Sequence, residues 1–232
     1  MRRRRGYLWY LILLVLIIIL GLELYLPRMA ERRIGEIFRA GTDRIERLDI
    51  QVSSFPALEI LLGRLDRVAV ESRGLEFKGL YLDAFAVKYR NIKLKEGSFE
   101  GENIALDILI TEEALNNYLR VNYPELDSFK IELIPDQVYL SGVLKFFEAR
   151  LKLQLAGELA ITEGNKISFI PQNFLFEDIS ISAGLIRDFM KDKGFSFDLD
   201  ELDVPLNIDE IKIGRGELRI IGKGNNERKA EF

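Results

Sequence analysis

Residues 7–26, YLWYLILLVLIIILGLELYL, form an apolar run whose one charge, Glu23, lies near its end. Coiled as a helix at about 1.5 Å per residue, the run is about 30 Å long, the hydrocarbon thickness of a bilayer. It predicts a single transmembrane helix. Arg2, Arg3, Arg4 and Arg5 stand directly before it, which by the positive-inside rule places a basic stub, residues 1–6, in the cytoplasm and the body of the chain outside. Tyr7, Trp9 and Tyr10 fall where an interfacial aromatic belt lies. The competing reading is a cleaved signal peptide, whose apolar core is shorter and ends in small residues. Glu23-Leu24-Tyr25-Leu26-Pro27 is a poor cleavage site, so an uncleaved anchor is expected.

Of the 232 residues, 33 are Lys or Arg and 37 are Asp or Glu. Beyond residue 26 the balance is 29 basic against 36 acidic, net −7. An acidic body with no Lys/Arg cluster after residue 50 is not expected to bind nucleic acid, because phosphate binding needs a basic face. The chain has neither Cys nor His. That excludes disulfides, thiolate and imidazole zinc sites, a cysteine nucleophile and a Ser-His-Asp triad. No G-x-G-x-x-G, P-loop or G-x-S-x-G motif occurs. No cofactor is expected and no enzymatic activity.

Residues 28–40 place Ile34, Ile37 and Phe38 at i, i+3, i+4, an amphipathic helix continuing from the anchor. From residue 45 the period changes to alternation, as in Leu48-Asp49-Ile50-Gln51-Val52, and most of the remainder reads as antiparallel β. Strands are predicted at 45–53, 65–73, 75–78, 80–89, 91–96, 102–110, 128–134, 136–146, 149–161, 165–170, 173–181, 206–214 and 216–222. Three short helices interrupt them. Phe55 to Leu62 has Pro56 near its start and Gly63 after it. Thr111 to Leu119 opens with a Thr cap and two acids. Ser182 to Lys193 ends at Gly194. The domain runs over 28–222, and 223–232 is a polar tail.

The strand 149–161 turns Leu151, Leu153, Leu155, Leu159 and Ile161 one way and Lys152, Gln154 and Glu158 the other, so one side of its sheet is wet. Strand 80–89 is apolar on both faces: Leu80, Leu82, Ala84 and Ala86 against Tyr81, Phe85, Val87 and Tyr89. Something apolar covers the second face, either a helix of the same domain or a ligand tail in a groove.

The segment Leu48–Leu94 carries Val52-Ser53-Ser54-Phe55-Pro56-Ala57-Leu58, then Leu61-Leu62-Gly63-Arg64-Leu65-Asp66-Arg67-Val68-Ala69-Val70, then Gly79-Leu80-x-Leu82-x-x-Phe85-x-Val87. It resembles the LmeA-like phospholipid-binding family of bacterial envelope proteins. Ile110-Thr111-Glu112-Glu113-Ala114-Leu115-Asn116-Asn117-Tyr118-Leu119 resembles the family's central strand-to-helix step, and Val204-Pro205-Leu206 through Ile221-Gly222 its closing hairpin. The resemblance implies an extracytoplasmic α+β domain, mostly antiparallel β, with a curved sheet wrapped around the N-terminal amphipathic helix in the manner of tubular lipid-binding (TULIP) proteins. It also implies phospholipid as the ligand and carries over no catalytic residue.

An apolar trough for acyl chains would draw on Ile34, Ile37 and Phe38, on Phe55, Leu58, Leu61 and Leu62, and on Leu185, Ile186, Phe189 and Met190. For any one of these residues plain core is the stronger reading, since periodicity alone does not separate a lipid-facing from a helix-facing side chain. Arg64 and Arg67, flanking Asp66, are the headgroup candidates, with surface ion pairing as the alternative. The acidic run Asp198-Leu199-Asp200-Glu201-Leu202-Asp203 lacks the calcium-loop pattern and reads as a solvated connection, with no metal bound. The expected function is therefore that of a membrane-anchored, outward-facing lipid-binding protein with phospholipid and the membrane as partners. A structural or interaction domain with a self-filled core is the second reading, and a carboxylate-pair glycan hydrolase the third.

Overall fold

The computed structural model describes residues 4–95, 98–146, 149–162, 165–176, 196–199, 208–222 and 230–231. The apolar run and the amphipathic segment after it form one helix, α1 (Arg4–Ala40), that continues through Pro27. Every side chain from Trp9 to Leu20 is exposed, and α1 is long and apolar enough to cross a membrane. Its C-terminal part packs on the domain.

Among the described residues twelve strands follow: β1 (Arg44–Ser53), β2 (Arg64–Phe77), β3 (Leu80–Lys95), β4 (Ser98–Thr111), β5 (Lys130–Ile134), β6 (Gln137–Phe146), β7 (Ala149–Ile161), β8 (Lys166–Phe176), β9 (Ser196–Asp198), β10 (Glu210–Ile213), β11 (Glu217–Gly222) and β12 (Ala230–Glu231). All pairings are antiparallel. One sheet has the order β1-β2-β3-β4-β11-β10 with β12 beside β4; the other runs β5-β6-β7-β8-β9. The larger sheet is a curved half-barrel, and the architecture is the α+β, mostly antiparallel one expected.

Three pairs of predicted strands are single long ones. The breaks placed near residues 74, 90 and 171–172 are irregularities within β2, β3 and β8. Gly74 has φ +61° and Asn91 φ +52°, and Pro171 sits where the β7–β8 register shifts. Such kinks bend a strand without ending it. The β2–β3 hairpin is the tight two-residue kind that needs positive φ at both positions, with Lys78 at φ +48° and Gly79 at φ +79°. The polar tail also contributes a short strand, since β12 pairs with Ser98 and Phe99. The predicted helix Ser182–Lys193 lies outside the described residues.

Helix α2 (Glu112–Asn122) begins where the Thr111 side chain accepts the Ala114 N–H at 3.3 Å. Its buried Ala114, Leu115 and Leu119 lie in one hydrophobic core with Leu82, Ile108, Ile131, Leu155 and Phe169, so a single core serves both sheets. On β7, Leu153, Leu155 and Leu159 are buried while Lys152, Gln154 and Glu158 are exposed, but Ile161 at the strand's end is exposed too. The doubly apolar β3 is covered by the protein's own helix at one point: Phe38 of α1 tilts against Phe85 with ring centroids 5.7 Å apart.

Tyr89, four residues further along β3, is buried, and burial pushes its phenol well above the ordinary value of 10.0. Up to about pH 10 both folded and unfolded chains keep the proton. Above it only the unfolded chain ionises, so stability falls with rising pH by about 1.4 kcal/mol per unit from this group. Tyr89→Phe is expected to remove that increment from the alkaline limb, read by urea titrations at several pH values above 10. An unchanged slope would show that the phenol ionises freely in the folded protein.

Candidate functional site

Below the core, α1 presents two different faces. The docked face carries Glu23, Leu26, Ala30, Glu31, Ile34, Gly35 and Phe38, spaced three and four residues apart as one helical stripe requires. Leu26 is buried, and Ala30, Ile34 and Phe38 pack partly buried against the core. Gly35 is buried against β1, where a Cβ would make ordinary contact with the Ile50 Cδ1 at 3.4 Å. Two carboxylates complete the attachment. Glu31 accepts the Val52 N–H at 3.1 Å, and both oxygens of Glu23 lie 3.0 and 3.1 Å from the Ala57 nitrogen. These satisfy backbone donors where β1 ends and the following loop begins.

The opposite face carries Tyr25, Arg28, Met29, Arg32, Arg33 and Glu36, which line an open, one-sided concavity along the helix surface. Arg28 and Arg32 are one turn apart on the helix, and among the described residues neither is in an ion pair, while Arg33 lies 3.9 Å from Glu36 in a highly exposed pair. Its apolar side chains are Tyr25 and Met29, with Arg28 between them along the helix and Arg32, Arg33 and Glu36 beyond. Sequence reasoning passed over these arginines. Their signal was Arg28 and Arg32 at i, i+4 directly after the apolar run.

The trough candidates are divided among separate places. Ile34 and Phe38 turn into the core, whereas Ile37 is exposed on the outer side of α1. Phe55, Leu58, Leu61 and Leu62 are exposed, around a 3₁₀ helix at Ala57–Leu62 that is preceded by Pro56 and ended by Gly63 at φ 70°. Leu185, Ile186, Phe189 and Met190 lie outside the described residues. Arg64 follows Gly63 at the start of β2, and Arg67 stands in register with Ser53 and Arg90. Both are exposed, and neither lines the concavity. Asp66 between them accepts the Phe55 N–H at 2.8 Å, fixing the loop rather than pairing with a headgroup arginine. The described part of the acidic run, Asp198 and Leu199, is half-buried and buried respectively. Among the described residues no cluster of acids is arranged to hold a metal ion.

A further gap, lined by Phe77, Lys78, Leu80, Leu82, Tyr118, Phe197, Asp198 and Leu199, holds about 20 Å³, room for one water and no acyl chain. Comparison with curated proteins and with solved structures finds no match. The LmeA-like phospholipid-binding family model matches residues 23–223. That match opens at Glu23, the first helix residue to hydrogen-bond the domain. Most of the chain is thus accounted for by one family pattern, and the chain belongs to the LmeA-like phospholipid-binding family.

Proposed function

We propose that this protein is a single-pass membrane protein whose extracytoplasmic domain binds phospholipid at the bilayer surface and presents or transfers it, without catalysing a reaction. The observation that carries this reading is the concavity on α1, apolar at Tyr25 and Met29 and cationic at Arg28 and Arg32, immediately beyond the apolar run. With residues 7–26 across the bilayer and Arg2 to Arg5 inside, that concavity stands at the headgroup level of the outer face. Guanidinium groups are suited to phosphate, which they bind through paired hydrogen bonds. Exposed Ile37, one turn beyond Arg33, is a separate apolar contact on the far side of the arginines in this reading. Leu185, Ile186, Phe189 and Met190 are further acyl-chain contacts in this reading. Arg64 and Arg67 are a second cationic position nearer the loop.

The gap of about 20 Å³ beside Leu80 and Leu82 favours the other reading, an anchored interaction domain with a self-filled core. Native mass spectrometry with lipid extraction on the full chain in mild detergent separates the two. The wild type is expected to carry phospholipid stoichiometrically, and Arg28→Glu/Arg32→Glu to lose it by about tenfold or more, because charge reversal removes two charge-assisted contacts. A wild type that carries none and takes up none from vesicles overturns the proposal. A double variant that keeps its lipid moves the site away from α1.

A further inference from the structure

We infer that the loop Ser54–Gly63 is a second membrane contact, an apolar wedge seated in the outer leaflet beside the transmembrane helix. The inference rests on the reading of residues 7–26 as a bilayer span. In a 3₁₀ helix residues three apart stack on one side, and Ala57–Leu62 sorts its side chains accordingly. Ala57 and Ile60 turn inward, the first fully buried and the second half-buried, while Leu58 and Leu61 point outward, flanked by Phe55 and Leu62. Phe55 is 82 % exposed and Leu62 73 %. Four large apolar side chains are bared within eight residues, a concentration of exposed apolar surface of the kind that marks an interaction surface.

The attachment of the loop to α1 says what covers that patch. Ala57 donates its N–H to the Glu23 carboxylate, and Glu23 lies within the apolar run itself. Centring residues 7–26 on the bilayer puts Glu23 about 10 Å from the midplane, inside a hydrocarbon half-thickness of about 15 Å. The loop is therefore held at the depth of the acyl chains, where Phe and Leu partition as they do on interfacial helices. Arg64, directly after Gly63, and Arg67, three residues further along β2, are both exposed. They are suited to the anionic headgroups just above such a wedge. A protein partner would have to reach the same patch through lipid.

The absence of cysteine from the chain allows single labels. Full-length Leu61→Cys, Leu16→Cys and Arg73→Cys, each carrying an environment-sensitive fluorophore, are reconstituted into vesicles of phosphatidylcholine and phosphatidylglycerol containing lipid with nitroxides both high on the acyl chain, for position 61, and near the chain end, for position 16 at the midplane. The labels at 61 and 16 are expected to lose about half their emission or more, as buried groups do, while exposed position 73 on β2 keeps its own. A label at 61 that stays bright while that at 16 is quenched overturns the wedge and leaves the span intact. The same result with a blue-shifted label at 61 assigns the patch to protein, such as a second copy, and overturns the wedge equally. A bright label at 16 refutes the span, and the wedge falls with it.

Discussion

Gly157→Ala is expected to destabilise the domain by about 3 kcal/mol or more, the upper range for forcing atoms into a packed site. A Cβ at this position would stand 2.2 Å from the Ile170 carbonyl oxygen, 2.9 Å from its carbon and 2.8 Å from the Phe169 ring. The nearest atom belongs to the backbone of β8, so no side-chain rotation relieves the clash. The reason for the close approach lies across the strand pair. The register of β7 and β8 shifts between Ala156 and Gly157, and Gly157 faces Pro171. Proline brings no N–H to the ladder, and β8 presses inward there against a residue that has no side chain. Far-UV circular dichroism of the full chain during urea titration reads the change. Tryptophan emission does not serve, because the chain's one tryptophan, Trp9, lies in the apolar run. A loss under about 1 kcal/mol would mean that the two strands separate easily at this bulge.

Asn116→Leu is expected to cost a similar amount, about 3 kcal/mol, for the opposite reason: it leaves buried groups unpaired. β5 is the edge of the second sheet, and α2 supplies the partner that a neighbouring strand would. Asn116 accepts the Ile131 N–H and donates to the Ile131 carbonyl, both at 2.8 Å, and Glu112 one turn earlier accepts the Leu133 N–H at 2.9 Å. Leucine matches asparagine in shape and offers neither bond. Asn116→Asp, which keeps the acceptor and gives up the donor, is expected to fall between wild type and leucine. Because uncovered edges recruit other strands, the leucine variant is also expected to associate on concentration, as light scattering would detect. Equal stability of all three proteins would show that water replaces the amide at no cost.

The legible parts of this fold are those governed by local chemistry. Thr111 with Glu112 and Glu113 announced α2, and Pro56 and Gly63 bracketed the short helix between β1 and β2, because caps and breakers act within one turn. The alternation in 149–161 located β7 to the residue. Long strands were cut too early wherever Gly74, Asn91 or Pro171 interrupts the pattern, since a kink and a strand end look alike until the partner strand is known. The distribution of exposed apolar residues was not legible at all. Ile34, Ile37 and Phe38 share a helical stripe in sequence, yet only the docking of α1 on β1 decides that Phe38 meets Phe85 while Ile37 faces outward. Likewise nothing in Phe55 to Leu62 told which of its residues would be bare. That depended on Glu23, 34 residues away from Ala57 in the chain. The arginines of the concavity escaped notice because their meaning comes from where the apolar run ends.

The unbroken course of α1 sets the mechanical character of the molecule. Pro27 offers no N–H to the Glu23 carbonyl, which would ordinarily favour a hinge, but Leu26 is buried on one side of it and Glu23 and Glu31 clasp the domain on either side. The apolar run and the domain are therefore joined by a continuous helix rather than by a free linker. In the anchored reading such a protein is a fixture rather than a ferry: a lipid it lifts stays within its own height of the membrane, and delivery to a distant surface requires the acceptor to come to it.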